Sequence, residues 1–396
     1  MSRKEIIIVG GGISGLSLAF YCARAGWETI LLESEERVGG AFHSHRLQGS
    51  DFWLELGAHT CYNSYGNLLA IIEQCATDGQ MIRREKVPFR MLVNDQVRSI
   101  FSQINYPELL LSVPRLLVQK KQQESVSSYY SAVLGNRNYQ NLFRHFFNAV
   151  PSQKTDEFPA DILFKSRSRR KDIYKSYTFT AGLETVVDGI IQTGGVQILT
   201  GKVTDSIELV NDRYKITATD GSQFETENLA LATPASVSAK LLQSISPEVS
   251  RIISRIPVAS VNSTGVVIQK KHLSLEPVAG IISADDLFFS AVSRDTVTNE
   301  TYRGFTFHFK PEVVDQEERL KRICEVLAVT REQIEQVVWK SNLLPSLKVG
   351  HDKLVEELDT HLAQTQLLLT GNYFAGVSIE DCVSRSLSEF SRLAGQ

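Results

Sequence analysis

Two hydrophobic periods alternate along the chain, and their boundaries lay out its elements. Residues 6–9, Ile-Ile-Ile-Val, form a continuous apolar run ended by Gly10-Gly11-Gly12, the pattern of a strand buried on both faces of a parallel sheet. Leu16, Leu18, Ala19, Phe20, Cys22 and Ala23 follow at helical spacing, and Gly26 is placed as the C′ residue that stops the helix. A second apolar run, 29–32, leads to Glu33, and 63–75 reads as a helix. Residues 89–93 and 96–101, joined by Asn94-Asp95, predict a hairpin. From 106 to 164 the pattern is helical, through PELLLSVPRLLVQKK, SVSSYYSAVLG and NYQNLFRHFFNAV. Residues 178–232 return to mixed character: a helix entered from Thr180-Ala181-Gly182-Leu183, then strands at 196–200, 202–210, 214–219 and 224–232, with a turn at Asp220-Gly221. Strands at 257–270, 280–284, 287–294 and 304–310 predict a mixed sheet, 312–340 one or two helices, and 367–369 a short buried strand. Ser378 with Asp381 suits a capping box opening a last helix, on which Ile379, Cys382, Val383, Leu387, Phe390 and Leu393 share a face. The fold class is therefore α/β.

Composition narrows the function classes. With 396 residues the chain can hold two or three domains around a large core. A net charge of -3 and 42% hydrophobic residues describe an ordinary globular protein and argue against a nucleic-acid partner. The five cysteines are scattered and form no C-x-x-C, which points to a reducing compartment and against a metal or disulfide framework. The first strand begins too early to leave room for a signal peptide, and no apolar run reaches membrane-spanning length. The expected location is cytoplasmic, with peripheral contact at the inner face of the membrane left open.

The chemistry begins at Gly10, Gly12 and Gly15, a G-x-G-x-x-G between strand and helix. Gly10 allows the tight turn, Gly12 lets backbone approach a pyrophosphate, and Gly15 lets the helix pack on the strand. The helix start, Ile13-Ser14, offers amide groups and positive dipole potential to phosphates. Glu33, 23 residues after Gly10, can accept hydrogen bonds from ribose hydroxyls. A second glycine pair, Gly39-Gly40, follows Arg37, whose charge could offset phosphate.

Glu33 with Glu36-Arg37-Val38-Gly39-Gly40 resembles the FAD-binding start of the flavin amine oxidase superfamily, which includes protoporphyrinogen oxidases, phytoene desaturases and monoamine oxidases. The resemblance implies a Rossmann-like FAD-binding domain, a mixed-sheet substrate domain and a helical insertion, with FAD held non-covalently. One departure is Ala41, where that family often has Arg or Lys, so a phosphate contact would fall to Arg37 or Arg46. Gly57-Ala58-His59 resembles the segment lying over the flavin in this superfamily, and UDP-galactopyranose mutases also carry a G-A-H there. His59 is then either a flavin contact and catalytic candidate or a buried, hydrogen-bonded histidine near a turn. By the same resemblance Val203 reaches the adenine side, and Ala232-Thr233 before Pro234 is the A-T-P strand end. The block from Thr370 to Cys382 resembles the C-terminal flavin motif of protoporphyrinogen oxidases, as does the stretch from Leu344-Pro345 to Gly350-His351-Asp352. It contributes Gly371, Asn372, Gly376, Val377, Ser378 and Ile379 to the cofactor set, with Tyr373 as a second catalytic candidate. The helix N-terminus there would favour negative charge at the flavin N1/O2 edge.

The implied domains are 1–80, 178–245 and 346–396 for FAD, 81–105 and 246–345 for substrate, and 106–177 for the insertion. Residues 109–117 are read as core packing, with a membrane-facing surface as the alternative. The basic run Lys165, Arg167, Arg169, Arg170, Lys171 and Lys175 is a solvated face or an attractor for an acidic substrate or anionic lipid. No second G-x-G-x-x-G argues for a separate NAD(P)H domain. Several functions remain: a protoporphyrinogen oxidase-type enzyme acting on a small molecule such as a porphyrinogen, an amine oxidase or desaturase, a UDP-galactopyranose mutase-like non-redox flavoenzyme, or a binding-only flavoprotein.

Overall fold

The computed structural model describes residues 4–395. Its first sheet is parallel, with strands in the order Val196–Leu199, Glu28–Leu32, Glu5–Val9, Leu229–Leu231 and Leu367–Leu369. Ile7 stands between Ile30 and Leu229 in register. The unbroken apolar run at 6–9 follows from its central place. Ile6 and Ile8 enter one core with the helices Ile13–Arg24, Gly66–Gln74, Glu184–Thr193 and Ile379–Ala394. Ile7 and Val9 enter a second core with Ala235–Leu242, Pro247–Ile253 and His351–Leu362. Each such side chain removed from water contributes about 1.5–3 kcal/mol.

The second large sheet has seven strands, in the order Ile334–Pro345, Val258–Gln269, Tyr302–Phe309, Phe288–Ser293, Gly280–Ser283, Phe89–Val93 and Gln96–Ser99. The last two form a hairpin whose Asn94 and Asp95 have φ of 48° and 59°, as a two-residue primed turn requires. Helix Gln316–Leu327 covers one face through Leu320, Ile323 and Leu327. The other face meets Leu54 and Leu56, on and just after strand Trp53–Glu55, which ties the sheet to the glycine-rich half.

Three element expectations are corrected. The run 224–232 is two strands, Gln223–Thr226 in a small antiparallel sheet and Leu229–Leu231 in the parallel one. Between them Asn228 donates from its side-chain amide to the Glu5 carbonyl at 2.7 Å, fixing the change of sheet. Helix ends at Leu327, where Ala328 turns left-handed at φ 52°; 334–345 is a strand, because Val337, Val338 and Trp339 suit the pleat and pair with Val258–Gln269. The leucine stretch does not pack inward. It forms helix Tyr106–Ser112 and a tighter turn at Val113–Leu117, with Leu110, Leu111, Leu117 and Val118 between 76% and 90% exposed. Within the described residues no helix is long and apolar enough to cross a membrane.

Candidate functional site

The glycine loop is shaped by close approaches that only hydrogen permits. Gly10 has φ +106°, and a Cβ there would lie 2.7 Å from the Ala232 carbonyl oxygen; one on Gly15 would lie 1.9 Å from the Gly10 carbonyl oxygen. Gly12 differs: a Cβ there has no protein atom within 4 Å. Its hydrogen therefore faces away from the protein, on the N-cap of helix Ile13–Arg24, where a bound pyrophosphate would meet amide groups. Gly39, at φ +110°, donates from its amide to the Gly11 carbonyl at 2.7 Å, so the second glycine pair lies directly on the first.

Glu33 is fixed at the same place. Its carboxylate accepts from the Gly11 amide at 2.6 Å and the Glu35 amide at 2.8 Å, leaving lone pairs for ribose hydroxyls. Val203, 44% exposed, lies beside it, because the neighbouring Lys202 amide donates to the Glu33 carbonyl at 2.7 Å. The Ala232 amide donates to the Val9 carbonyl at 2.8 Å, bringing Ala232-Thr233 to the loop from the adjacent strand. These residues fit a dinucleotide: an open approach at Gly12, a helix start, and an acid at ribose distance along the chain.

Arg37 has another task than phosphate contact. Its guanidinium donates to the carbonyls of Val38 at 2.7 Å, Gly40 at 3.1 Å and Phe42 at 2.8 Å, holding the glycine turn closed. The Gly57-Ala58 strap lies across that turn, with the Ala58 amide donating to the Ala41 carbonyl at 2.8 Å. A Cβ on Gly57 would stand 2.5 Å from the same oxygen. Ala41 thus serves through its backbone, and a longer side chain is not what the turn uses.

The C-terminal block reaches the same region. Ser386, on the last helix, donates to the Ser14 carbonyl at 2.8 Å, joining the two helices. Gly371, Asn372, Gly376 and Val377 form the loop between strand Leu367–Leu369 and helix Ile379–Ala394, which is N-capped by Ser378. The capping box is half formed. Ser378 Oγ accepts from the Asp381 amide at 3.2 Å, while the Asp381 carboxylate accepts from Ser378 Oγ at 2.6 Å, Lys165 at 2.9 Å and Arg167 at 2.7 Å. Two residues of the basic run are thereby engaged at the helix start, where they offset Asp381, while Glu380 of the same turn accepts from the Asn67 and Leu68 amides at 2.9 and 3.2 Å. Arg170 pairs with Glu73 and Asp172, so only Arg169, Lys171 and Lys175 remain a solvated face.

The catalytic candidates part company. Tyr373 is fully buried in the second core, its hydroxyl 3.4 Å from Ser238 and its ring 4.7 Å from that of Phe374. Its apolar ring is core packing, and the reading of Tyr373 as a catalytic candidate is corrected. His59 stays at the strap. Its Nε2 is 2.9 Å from Nε2 of His308, whose Nδ1 is 2.9 Å from Ser263 Oγ. Burial holds His59 well below the usual histidine range, reinforced by His308 and Arg84, and burial brings His308 down to about 4. Both rings are therefore neutral, one donating to the other, and the pair can pass a proton by exchanging tautomers without a change of net charge.

Sequence reading missed the wall beyond His59. A small cavity of about 20 Å³ is lined by His59, Trp53, Glu55, Arg84, Arg294 and Thr296, among others. Burial pushes the Glu55 carboxyl up to about 7, against the Leu183 amide and the Ser44 hydroxyl that bond it at 2.7 and 3.0 Å. An acid inside the apolar run FWLELG was the available signal for Glu55; Arg84 and Arg294 sit in no motif.

Comparison with known proteins follows the same lines. A sequence model of flavin containing amine oxidoreductases matches residues 13–389. The chain is 21% identical to protoporphyrinogen oxidase of Bos taurus over 99% of its own length and 98% of that protein. It is 20% identical to a flavin-containing amine oxidase of Danio rerio over 82% and 70%. A 31% match to 15-cis-phytoene desaturase of Narcissus pseudonarcissus takes in 27% of this chain and spans only 18% of that enzyme's length. Among solved structures, a putative protoporphyrinogen oxidase from Exiguobacterium sp. 255-15 superposes with TM-score 0.81 at 18% identity over the whole of both chains. A CLA-producing fatty acid isomerase from P. acnes gives 0.76 at 16% identity over 99% of each. At such identities the two structures speak for the fold.

Proposed function

The chain belongs to the flavin-containing amine oxidoreductase family, and from that premise we propose that it is an FAD-dependent oxidase of the protoporphyrinogen oxidase type. FAD bound here supplies a two-electron acceptor that takes hydride from a substrate carbon and returns the electrons to oxygen or another acceptor. The residues that would hold it are the 10–15 loop and Gly39-Gly40 at the pyrophosphate, Glu33 at a ribose, Val203 at the adenine side, and the 57–59 strap with the 371–379 loop at the ring system. The observation that carries the reading is the end-to-end correspondence with the Bos taurus protoporphyrinogen oxidase, near-complete for both chains.

What the protein's own residues do agrees with this chemistry. Removing hydride from a saturated bridging carbon needs position and a charge-supporting helix end more than a nucleophile. The start of helix Ile379–Ala394 provides that end, and the neutral His59–His308 pair avoids adding positive charge where hydride departs. An amine oxidase would use an aromatic cage, and the pair Tyr373–Phe374 is inside the core.

The insertion gives the second part of the proposal, a peripheral contact with membrane. Leu110, Leu111, Leu117 and Val118 project from one segment, with Arg115 and Lys120 exposed beside them. An apolar patch edged by cations suits an anionic lipid surface, where an apolar tetrapyrrole would partition. Aerobic incubation with protoporphyrinogen IX should generate porphyrin fluorescence in proportion to flavin content. Fluorescence no faster than in the flavin-free protein would remove the assignment.

A further inference from the structure

His59 on the strap ends a chain of hydrogen bonds that starts inside the seven-stranded sheet. Ser263 and His308 are directly opposed on the neighbouring strands Val258–Gln269 and Tyr302–Phe309, so their side chains share a face. That face receives strand Trp53–Glu55. Thr306, two residues before His308, donates to the Glu55 carbonyl at 2.6 Å, and a Cβ on Gly265, two residues after Ser263, would stand 2.7 Å from the Leu56 side chain. His308 therefore bridges the two halves of the molecule, with Nδ1 2.9 Å from Ser263 Oγ and Nε2 2.9 Å from His59 Nε2.

A neutral imidazole has one N–H and one bare nitrogen, so the chain has two arrangements. In the first, His59 donates from Nε2 to His308, His308 donates from Nδ1 to Ser263, and the hydroxyl proton of Ser263 is left without an acceptor. Ser263 is 1% exposed, and among the described residues its hydroxyl has no side-chain partner besides His308. A buried donor without a partner disfavours this arrangement about tenfold or more. In the second, Ser263 donates to His308 Nδ1, His308 donates from Nε2 to His59 Nε2, and every buried donor in the chain is used. The second arrangement puts the proton of His59 on Nδ1. Among the described residues that nitrogen has no protein partner, and His59 is only half-buried.

We propose that Ser263 and His308 are positioning residues that hold His59 in its Nδ1–H form, so that the strap offers a neutral hydrogen-bond donor and not a base. The other nitrogen of His59 is already engaged by His308, which leaves no lone pair to take a proton from a substrate. The group that such a donor fits is an acceptor, a carbonyl oxygen or an unprotonated ring nitrogen, and a fixed neutral donor supports negative charge developing there. The part this donor plays in turnover rests on the oxidase reading, but the tautomer itself does not depend on it.

The test is long-range proton–nitrogen correlation spectroscopy of FAD-loaded enzyme labelled at its histidine ring nitrogens, which tells a protonated nitrogen from a bare one. The His59 signals are assigned by their loss in His59→Gln. The expected result is an excess of the Nδ1–H form of His59 of about tenfold or more. Ser263→Ala removes the deciding donor and should lower that excess by about tenfold, with flavin content and melting temperature retained. Should Ser263→Ala fail to fold, His308→Phe is read by the same criterion. A wild-type His59 protonated at Nε2, or a ratio unchanged in a folded variant, overturns the positioning role. The Nδ1–H form in an enzyme inactive on porphyrinogen keeps the tautomer and removes the oxidase reading; porphyrinogen turnover by an enzyme whose His59 carries its proton on Nε2 does the reverse.

Discussion

Replacing Gly12 by valine separates the cost of folding from the cost of binding FAD. Gly12 has φ -72° and ψ 178°, extended backbone that a β-branched residue adopts without strain, and its Cβ position is free of protein atoms to 4 Å. The change should cost the flavin-free protein no more than about 1 kcal/mol, through the poor N-cap preference of valine. The bound pyrophosphate must use that same space. In the wild type, FAD at a hundredfold excess over its Kd adds about 2.7 kcal/mol to stability, and this increment should vanish in Gly12→Val. Gly15→Val is the contrasting case: with 1.9 Å between its Cβ and the Gly10 carbonyl oxygen, helix and strand must separate, at about 1–3 kcal/mol before any ligand is added. The assay is thermal unfolding of flavin-free protein with and without added FAD, with flavin absorbance and acid release of the free chromophore as a count of occupancy. Gly12→Val protein that stays yellow and gains the full increment would refute the phosphate-loop assignment.

Glu55→Gln tests the buried carboxyl. Folding raises its pKa from 4.5 to about 7, so the folded state keeps a proton that the unfolded chain releases; this stabilisation is full below pH 4.5 and is lost as pH rises through 7, by about 3 kcal/mol. Denaturant titrations at pH 5 and pH 8 should show a smaller pH difference in the variant than in the wild type. Arg167→Glu breaks the contact with Asp381 and should lower both flavin occupancy and melting temperature by a few degrees, while exposed Lys171→Glu changes neither; absorbance ratios and calorimetry decide, and equal behaviour would detach the cation pair from the flavin end. Leu111→Glu with Leu117→Glu, at positions 80% and 90% exposed, should leave stability intact and reduce sedimentation with phosphatidylglycerol vesicles at least tenfold, since each leucine burial is worth about 1.5–3 kcal/mol.

Local rules were enough to read the glycine loop, Glu33 and the N-capped last helix, because turn geometry, helix starts and buried strands write their requirements into neighbouring residues. The cavity was illegible for the opposite reason. Glu55, Arg84 and Arg294 come from separate strands and loops and meet only when the seven-stranded sheet docks on strand Trp53–Glu55. The basic run shows the same limit: the charges of Lys165 and Arg167 were plain, but their partner Asp381 lies more than two hundred residues away. The reading of residues 109–117 as core packing failed, although their helical form held, because leucine spacing cannot tell an inward face from an outward one when nothing is there to cover it. Residues 334–345 took the strand form because the partner Val258–Gln269 outweighed a weak helical signal.

The central claim is that a porphyrinogen reduces the bound flavin directly. Anaerobic mixing of the FAD-loaded enzyme with protoporphyrinogen IX, followed at the oxidised-flavin absorbance, should bleach the cofactor in a single rapid phase whose amplitude matches flavin content, and admission of oxygen should restore it. Bleaching by a primary amine or a polyene with none by the porphyrinogen would contradict the claim, as would conversion of substrate only after the flavin had been reduced beforehand.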